Sequence, residues 1–320
     1  MDVLSGVLKS VRLEGAVYLE AEFTAPWCIL ARYGLARVRA RLPRAEHLIY
    51  FHFITEGRCK VRLADGVEVL DVGAGDLVLF PRDDRHLLGS DLQLAPVDTE
   101  GMADEADAVD FYRLRHGGGG SVTRFVCGYL ACSRSVSRPL LQSLPHLMRI
   151  PMGDGPAAAL VHNLLRAGVR ESASARPGAD SMLARVAELL FVDALRRHIE
   201  DLPPGGKGWL AGLRDPHVGR ALALLHEQPG KPWTVDELSR EAALSRSALA
   251  ERFTELVGEP PMQYLTRWRL ALAARALRST DDPISRVAQR SGYESEAAFT
   301  RAFKREFSMP PSAWRKTVPE

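Results

Sequence analysis

The amino-acid sequence predicts a multidomain protein, with an N-terminal all-β barrel flanked by helices and a C-terminal all-α domain that contains two helix-turn-helix units. Its 320 residues exceed what one hydrophobic core normally organises. Short alternating segments separated by Gly, Asp and Pro occupy residues 15–131, and a helical pattern near the C-terminus occurs twice. The predicted boundaries are 1–200 for the N-terminal domain, 201–212 for a linker rich in Pro and Gly, and 213–320 for the C-terminal domain.

Composition and charge exclude several classes of protein. Hydrophobic residues make up 46% of the chain and charged residues 26%, which is typical of a globular protein. No run approaches the roughly 18 apolar residues of a membrane span, and the N-terminus lacks a signal-peptide pattern. We therefore expect a soluble, cytoplasmic protein without a membrane partner. Its four cysteines are too few for a disulfide framework and are expected to be thiols or metal ligands.

Alternating residues predict the strands of the N-terminal domain. Arg58–Leu63 alternates strictly, Asp65-Gly66 is the signal of a hairpin turn, and Val67–Leu70 is expected to return as the next strand. Further strands are predicted at Asp76–Phe80 and at Val122–Leu130. Many short strands with such turns indicate a barrel or a sandwich.

The first helix-turn-helix unit is predicted from its caps and its apolar spacing. Thr234 begins the capping box TVDE, and Ser245 is expected to cap a second helix after a tight corner at Ala243-Leu244. The residues that should anchor this helix lie four apart: Leu249, Phe253 and Val257. Gly258 and two prolines then end it.

The second unit repeats this pattern about fifty residues later. Asp282 is predicted to cap its first helix with Pro283 in the first helical position, and Gly292 is predicted to turn the chain. Ser295 should cap the second helix, whose anchors are Phe299, Phe303 and Phe307. A short helix, a tight corner and a second helix form a helix-turn-helix in each copy.

The segment between the copies predicts how the two units are spaced. Pro261–Ser279 should form one helix about 28 Å long, close to the ~34 Å between successive major-groove faces of a DNA duplex. One chain can thus place both second helices on double-stranded DNA. A plain helical bundle is the alternative. A non-specific architectural DNA binder is disfavoured, because residues 213–320 contain only 17 Lys and Arg against 14 Asp and Glu.

The repeat also resembles a known family. SGYESEAAFTRAFKREFSMPPSAWR, which starts at Ser291, resembles the signature of the AraC/XylS regulators, and the match extends from about Leu213 to Lys316. This resemblance implies a seven-helix DNA-binding domain in a sequence-specific transcription regulator, with RNA polymerase as a further partner. It places base-reading positions at Arg246, Ser247, Ala250 and Glu251, and at Glu296, Ala297, Thr300 and Arg301; phosphate contacts are expected from Arg252, Lys304 and Arg305. Glu251 departs from the family, in which a basic residue is common there.

The N-terminal domain resembles the cupin family more loosely. Gly75–His86, GDLVLFPRDDRH, is similar to the second cupin motif, with Asp83 in place of a glycine. The HxH-plus-Glu metal set of cupin enzymes is absent, because the aligned stretch contains Arg44-Ala-Glu-His47 and Tyr50. The resemblance implies a domain that binds an effector and controls DNA binding, and we expect the cue to be a small-molecule effector, a metal or a redox change. A cupin metalloenzyme with an appended DNA-binding domain is the alternative, and we expect no enzymatic activity.

Two histidines and two cysteines suggest a metal site in the predicted barrel. His86 stands at the position of the cupin metal histidine, and His52, Cys59 and Cys127 lie on predicted strands. Thiolates and imidazoles suit a tetrahedral zinc, and together these four residues would supply its ligands. The alternatives are that the same residues sense oxidants or are ordinary core residues.

Helices are predicted between the barrel and the linker. Gly155–Arg170 and Asp180–Ile199 have helical patterns, and Ser172–Gly178 should form the loop between them. The second helix carries an apolar stripe of Leu183, Val186, Leu190, Ala194 and Ile199. The resemblance implies that such helices form a homodimer through the N-terminal half, whereas physically the stripe equally suits covering the barrel.

Overall fold

The computed structural model describes most of the chain as two compact units. The described residues are 3–11, 13–31, 34–39, 42, 45–99, 112–153, 159–160, 163–165, 167–168, 171, 177–203 and 205–317. One unit, the β-unit, comprises Leu13–Cys132 and Leu144–Glu200. The other, the helical unit, comprises Met1–Arg12, Ser133–Ser143 and Asp201–Glu320. No described helix is both long enough and apolar enough to cross a membrane.

Two sheets build the β-unit. The strands are β1 Glu14–Thr24, β2 Cys28–Ala31, β3 His47–Glu56, β4 Arg58–Leu63, β5 Leu70–Gly73, β6 Asp76–Phe80, β7 His86–Gly89, β8 Val97–Asp98, β9 Tyr112–Gly117, β10 Val122–Cys132 and β11 Met148–Pro151. The six-stranded sheet has the order β11-β6-β3-β10-β1-β9, and the five-stranded sheet has the order β5-β4-β7-β2-β8. This confirms the predicted all-β architecture.

Aromatic side chains fill the core between the sheets. The rings of Phe23 and Trp27 stack with centroids 4.4 Å apart, and those of Phe23 and Phe125 stack at 5.4 Å. Phe80 and Tyr50 belong to the same buried cluster. Alternation along the strands produces this cluster, because every second side chain points to the same face.

One predicted strand begins later than the sequence suggested. The hairpin after β4 turns at Asp65-Gly66, but residues 67–69 are not in a strand and β5 begins at Leu70. Val67 is 94% exposed, so its apolar side chain does not belong to a sheet face. The start of this strand was predicted too early, because Val67 and Val69 have a high β-propensity.

The helices of the β-unit are α2, Leu35–Arg39, and a long helix, Ala179–Asp201. On the long helix, Leu183, Val186, Leu190 and Ala194 are all at most 2% exposed within the chain. These four residues of the predicted stripe therefore cover the core of their own unit, whereas the fifth, Ile199, is half-buried. The homodimer stays a prediction. Much of the predicted helix 155–170 and of the predicted loop 172–178 lies outside the described residues; positions 159–160, 163–165 and 167–168 are helical.

Ten helices belong to the described part of the helical unit. They are α1 Val3–Val11, α3 Arg134–Ser143, α5 Trp209–Arg214, α6 Pro216–Glu227, α7 Val235–Glu241, α8 Arg246–Val257, α9 Pro261–Ser279, α10 Ile284–Arg290, α11 Glu296–Phe307 and α12 Pro311–Lys316; the long helix Ala179–Asp201 of the β-unit is α4. The run from α6 to α12 supplies the seven helices that the family resemblance implied.

The packing of the helical unit differs from the predicted contiguous domains. Helix α1 packs on α6, and α3 packs on α5 and α9, although both α1 and α3 precede residue 200. The predicted linker 201–212 is also shorter in the structure, because α4 extends to Asp201 and α5 begins at Trp209. The sequence did not predict that α1 and α3 pack in the helical unit, because this packing depends on contacts between distant segments.

Candidate nucleic-acid interface and buried polar cluster

The first helix-turn-helix consists of α7, a tight corner and α8. The Thr234 hydroxyl accepts a hydrogen bond from the Glu237 amide at 3.1 Å, and the Ser245 hydroxyl accepts one from the Ala248 amide at 3.2 Å. Both caps were predicted. The second half of the predicted capping box is not formed, because the Glu237 carboxylate pairs with Lys231 at 2.5 Å. Ala243 turns the corner with a φ of 53°.

The second helix-turn-helix has the same geometry. Gly292 turns the corner with a φ of 78°, and the Ser295 hydroxyl accepts a hydrogen bond from the Ala298 amide at 3.2 Å. Pro283, rather than the predicted Asp282, is the cap residue of α10. The Asp282 carboxylate instead binds Arg286 at 3.1 Å and Arg290 at 3.2 Å.

Buried anchors determine which faces of α8 and α11 reach solvent. Leu249 and Phe253 on α8, and Phe299 and Phe303 on α11, are fully buried. Because residues four apart share one face of a helix, the opposite face of each helix is turned outwards. The third predicted anchors, Val257 and Phe307, are only half-buried.

Most of the predicted base-reading residues lie away from the buried anchors, while Arg246 and Glu296 lie in the exposed first turn, three residues before Leu249 and Phe299. Of the eight, Ala250 and Thr300 are half-buried, and the six others are exposed: Arg246, Ser247, Glu251, Glu296, Ala297 and Arg301. Arg246 lies 3.6 Å from the Asp236 carboxylate. Arg301 is in no ion pair within the described part of the chain. The same holds for Lys304 and Arg305, which are exposed and follow on the next turn of α11.

Arg252, a predicted phosphate contact, has a partner inside the protein. Its Nε donates to the Asp215 carboxylate at 2.7 Å, and its Nη2 contacts the same oxygen at 2.5 Å. That carboxylate also accepts hydrogen bonds from the amides of His217 and Val218 and so caps α6. Arg252 therefore braces α8 against α6. The sequence contained no signal for this contact, because Asp215 and Arg252 are far apart in the chain.

A buried polar group in the helical unit also escaped the sequence analysis. The Trp209 indole donates to the Tyr264 hydroxyl at 2.8 Å, and that hydroxyl lies 2.7 Å from His226 Nε2. Burial lowers the pKa of His226 to about 3, so the imidazole is neutral. These three side chains join α5, α6 and α9 behind α8.

In the β-unit, three of the four predicted metal ligands meet. His52 Nδ1 lies 3.0 Å from the Cys127 sulfur, and His52 Nε2 lies 2.7 Å from His86 Nε2. Each of the three residues is at most 3% exposed. Sheet pairing explains part of this, because Cys127 on β10 is directly opposite His52 on β3. We call these three residues the His–His–Cys chain.

The protons of this chain can be assigned from its partners. His86 Nδ1 lies 2.8 Å from the Asp84 carbonyl oxygen, which can only accept, so Nδ1 carries a proton. Burial lowers the pKa of His86 to about 4, so its Nε2 is unprotonated and accepts from His52 Nε2. His52 Nδ1 then accepts from the Cys127 thiol. Burial, with His86 nearby, lowers the pKa of His52, and burial raises the pKa of the Cys127 thiol, so all three groups are neutral.

Cys59, the fourth predicted ligand, lies elsewhere. Leu63 is opposite His86 in the β4–β7 pair, and Cys59 is four residues away on β4, about 13 Å along the strand. Burial raises the pKa of the Cys59 thiol to about 12. Alternation correctly predicted an inward-facing residue but not its level in the barrel.

The described side chains therefore do not assemble the predicted four-ligand zinc centre. Within the described ranges, no group of three or more His, Cys, Asp or Glu side chains is arranged to hold a metal ion. The two nitrogens of His52 face different partners, and Cys59 is remote. What sequence reasoning found here was a buried polar cluster, and zinc binding stays a prediction.

Comparison with known proteins agrees with this architecture. The family described as Cupin matches residues 2–200, and the family described as Helix-turn-helix domain matches residues 238–317. An AraC-like transcription regulator of Streptomyces lividans is 38% identical over 278 residues, covering 85% of this chain and 88% of the relative. The HTH-type transcriptional regulator AlkR of Acinetobacter baylyi is 30% identical over 328 residues, covering 99% of both chains.

A third relative extends the comparison to a further bacterial group. The RCS-specific HTH-type transcriptional activator RclR of Escherichia coli is 30% identical over 276 residues, covering 85% of each chain. Such matches extend over both units rather than over the helix-turn-helix region alone. The chain therefore belongs to the AraC-like family of DNA-binding transcription regulators, with a cupin domain in its N-terminal half.

Proposed function

We propose that this chain binds an operator by placing α8 and α11 in successive major grooves of one duplex. The observation that carries the proposal is the pair of matched, capped helix-turn-helix units joined by a single helix of 19 residues. At 1.5 Å per residue this helix is about 28 Å long, comparable with the ~34 Å helical repeat of DNA. One chain can therefore contact two adjacent grooves.

Within this proposal, the side chains of α11 divide into two roles. Arg301 lies on the outward face one turn before Lys304 and Arg305 and is the candidate for bidentate recognition of a guanine. Lys304 and Arg305 are candidates for phosphate contacts, which position the protein without specifying sequence.

Two substitutions test these roles. On a duplex selected by the wild-type chain from a random pool, Arg301→Ala should weaken binding and relax preference at one base pair by about 1–3 kcal/mol. Lys304→Ala should weaken binding to every duplex and reduce the slope of log K against log salt by about one. Titration of labelled duplexes by fluorescence anisotropy measures both. Uniform loss in both variants would contradict the assignment.

We infer that the cupin half regulates the DNA-binding half and is not an enzyme. The relatives reported above are named as transcription regulators, and the described residues offer no metal-ligand group for cupin chemistry. The alternative of a cupin metalloenzyme is therefore disfavoured. A small-molecule effector is the proposed cue, and RNA polymerase is the further proposed partner.

Zinc as the cue fits the described geometry poorly. The lone pairs of His52 Nδ1 and His86 Nε2 both accept hydrogen bonds in the His–His–Cys chain, so an ion would have to displace protons already in place. Elemental analysis of protein purified without chelator tests this directly. Stoichiometric zinc that is lost in His52→Ala would restore the metal site.

The proposed homodimer needs a different face of α4 from the predicted stripe. Met182, Leu189, Val192 and Ile199 follow spacings of seven, three and seven on the outward side, and Leu189 is 53% exposed. Alternate spacings of this kind form the seam of paired helices. Sedimentation should therefore show a dimer that Leu189→Glu dissociates, whereas Leu189→Met, which keeps an apolar side chain at this position, serves as the control.

A further inference from the structure

The two recognition helices carry opposite charges at matched positions. A shift of fifty residues superposes the caps Ser245 and Ser295 and the buried anchors Phe253 and Phe303. Under that shift Glu251, Thr254 and Glu255 correspond to Arg301, Lys304 and Arg305. All six side chains are exposed. Three positions facing the same way therefore carry two negative charges in the first unit and three positive charges in the second. In the first turn of each helix the contrast is the opposite, because Arg246 corresponds to Glu296.

The first helices of the two units show the same contrast. Leu238 of α7 and Val287 of α10 are equivalent buried anchors, forty-nine residues apart. This register pairs Glu237 with Arg286 and Glu241 with Arg290, whereas the third acid of α7, Asp236, corresponds to Ser285. The reversal therefore extends over both helices of each unit.

Two arginines of the first unit have acidic partners within the protein. Arg246 lies near Asp236, and Arg252 is bound by the buried carboxylate of Asp215. In the second unit Arg286 and Arg290 share a single acid, Asp282. Arg301, Lys304 and Arg305 have no ion pair among the residues that the structure describes. In the first unit Arg240 is also exposed and without an ion pair among these residues, and the Glu255 carboxylate lies 3.8 Å from Lys207 Nζ. Unpaired positive charge is thus greater on the second unit.

Phosphates of DNA attract one of these surfaces and repel the other. Each phosphate neutralised by a Lys or Arg contributes about 0.9 to the salt slope of binding, and this sequence-independent term supplies nearly all non-specific affinity. Carboxylates at the groove edge oppose it, although a Glu can still accept a hydrogen bond from cytosine N4. The first unit can therefore gain affinity only where base contacts compensate for the repulsion.

We propose that the two units have different roles in DNA binding. The second unit binds the phosphates of any duplex, and the first unit inserts α8 into the major groove only at a matching sequence. The first unit then determines sequence selectivity, because Glu251 and Glu255 repel the phosphates of non-specific DNA. This inference rests on the proposed placement of α8 and α11 on DNA and assigns each unit its part in it.

Matched double variants of the full-length chain test this division. Binding to a random-sequence duplex of about four helical turns is titrated at several salt concentrations. Lys304→Gln with Arg305→Gln removes the two candidate phosphate contacts and should reduce the salt slope by about 1.8. Arg240→Gln with Arg246→Gln removes two exposed charges from the first unit and should reduce it by less than about 0.5. Equal losses in the two pairs would overturn the proposal.

The carboxylates provide the second arm. Glu251→Gln with Glu255→Gln should tighten binding to the random duplex and steepen its salt dependence, since two carboxylates that oppose the phosphates disappear. It should also lower the ratio of affinities between a wild-type-selected site and the random duplex. An unchanged affinity for the random duplex would contradict the repulsive role of Glu251 and Glu255. If the wild-type chain shows no salt-dependent binding to any duplex, the proposed placement of α8 and α11 on DNA is wrong. If it binds but the two pairs of variants lose equal salt slope, only the proposed difference between the two units is wrong.

Discussion

At the scale of single residues, the His–His–Cys chain explains why three polar groups are tolerated in an apolar core. Each hydrogen bond gives a buried group the partner that water would otherwise supply. The order of protons is directional, from the Cys127 thiol through His52 to His86 and the Asp84 carbonyl oxygen. Removing one member leaves the next without its partner.

Substitution of Cys127 tests that direction. Cys127→Ser retains an O–H that can donate to His52 Nδ1, whereas Cys127→Ala leaves this buried acceptor without a donor. We expect the Ala variant to have a free energy of unfolding lower by about 1–3 kcal/mol than the Ser variant. Urea denaturation of both proteins measures the difference. Equal stabilities would mean that the thiol does not donate.

The same residues predict how stability depends on pH. The pKa of His86 is lowered to about 4 by burial, and an unfolded histidine titrates near 6.5. As the pH falls below 6.5, the unfolded state binds a proton that the folded state refuses, so stability is lost progressively down to about pH 4. Thermal unfolding at several pH values should show this loss.

A matched substitution isolates the contribution of His86. His86→Gln keeps a carbonyl oxygen to accept from His52 but cannot titrate, so the melting temperature should depend less steeply on pH. His226→Gln is a second comparison, because burial lowers the pKa of His226 to about 3 in the helical unit. If the melting temperature of His86→Gln depends on pH as steeply as that of the wild type, His86 is not a source of the acid sensitivity.

At the scale of elements, the two helix-turn-helix corners differ in strain. Ala243 has a φ of 53°, where a Cβ is unfavourable, while Gly292 takes the equivalent position at 78°. A Cβ added at Gly292 would lie 3.0 Å from the guanidinium carbon of Arg269. That side chain is held by hydrogen bonds to the carbonyl oxygens of Pro229 and Lys231.

The corners therefore respond oppositely to exchange of Ala and Gly. Ala243→Gly should raise the melting temperature slightly, by relief of up to about 1 kcal/mol of strain offset by the freer unfolded chain. Gly292→Ala should lower stability by at least about 1 kcal/mol, because strain and crowding add. Differential scanning calorimetry of the two variants measures whether each melting temperature rises or falls. A lower melting temperature for Ala243→Gly would contradict the strain assigned to Ala243.

Local patterns predicted the elements far better than the contacts between them. The bounds of α9 and the caps Ser245 and Ser295 follow from neighbouring residues, and the structure has them as predicted. The Asp215–Arg252 brace, the level of Cys59 in the barrel and the inward face of α4 depend on segments far apart in sequence. Periodicity states which residues share a face, but it does not state what that face meets.

At the scale of the whole molecule, the helical unit contains two helices from the half of the chain that matches the cupin family. Val7 and Val11 of α1 and Leu140 of α3 are at most 2% exposed. Helix α3 packs on α9, the helix that joins the two helix-turn-helix units, and Arg138 of α3 lies 3.6 Å from Glu306 of α11. The stability of the DNA-binding helices therefore depends on residues before position 200.

This dependence can be measured with two equally buried leucines. Leu140→Ala on α3 should destabilise the helical unit by about 2–5 kcal/mol and increase hydrogen exchange in α9. Leu190→Ala on α4 should instead increase exchange in the strands of the β-unit, although both residues are 1% exposed. Protection of α9 unchanged by Leu140→Ala would show that α3 contributes nothing to it.

The interleaving of the two units limits how such a protein can be recombined. Strand β10 ends at Cys132 and α3 begins at Arg134, so a single residue separates a barrel strand from a helix of the DNA-binding unit. A chimera that exchanges only residues 201–320 with those of a relative would seat foreign helices against a native α1 and α3. A functional hybrid regulator therefore requires three grafts, at 1–12, 133–143 and 201–320, and crossovers between genes for such proteins should be productive only when these three segments travel together.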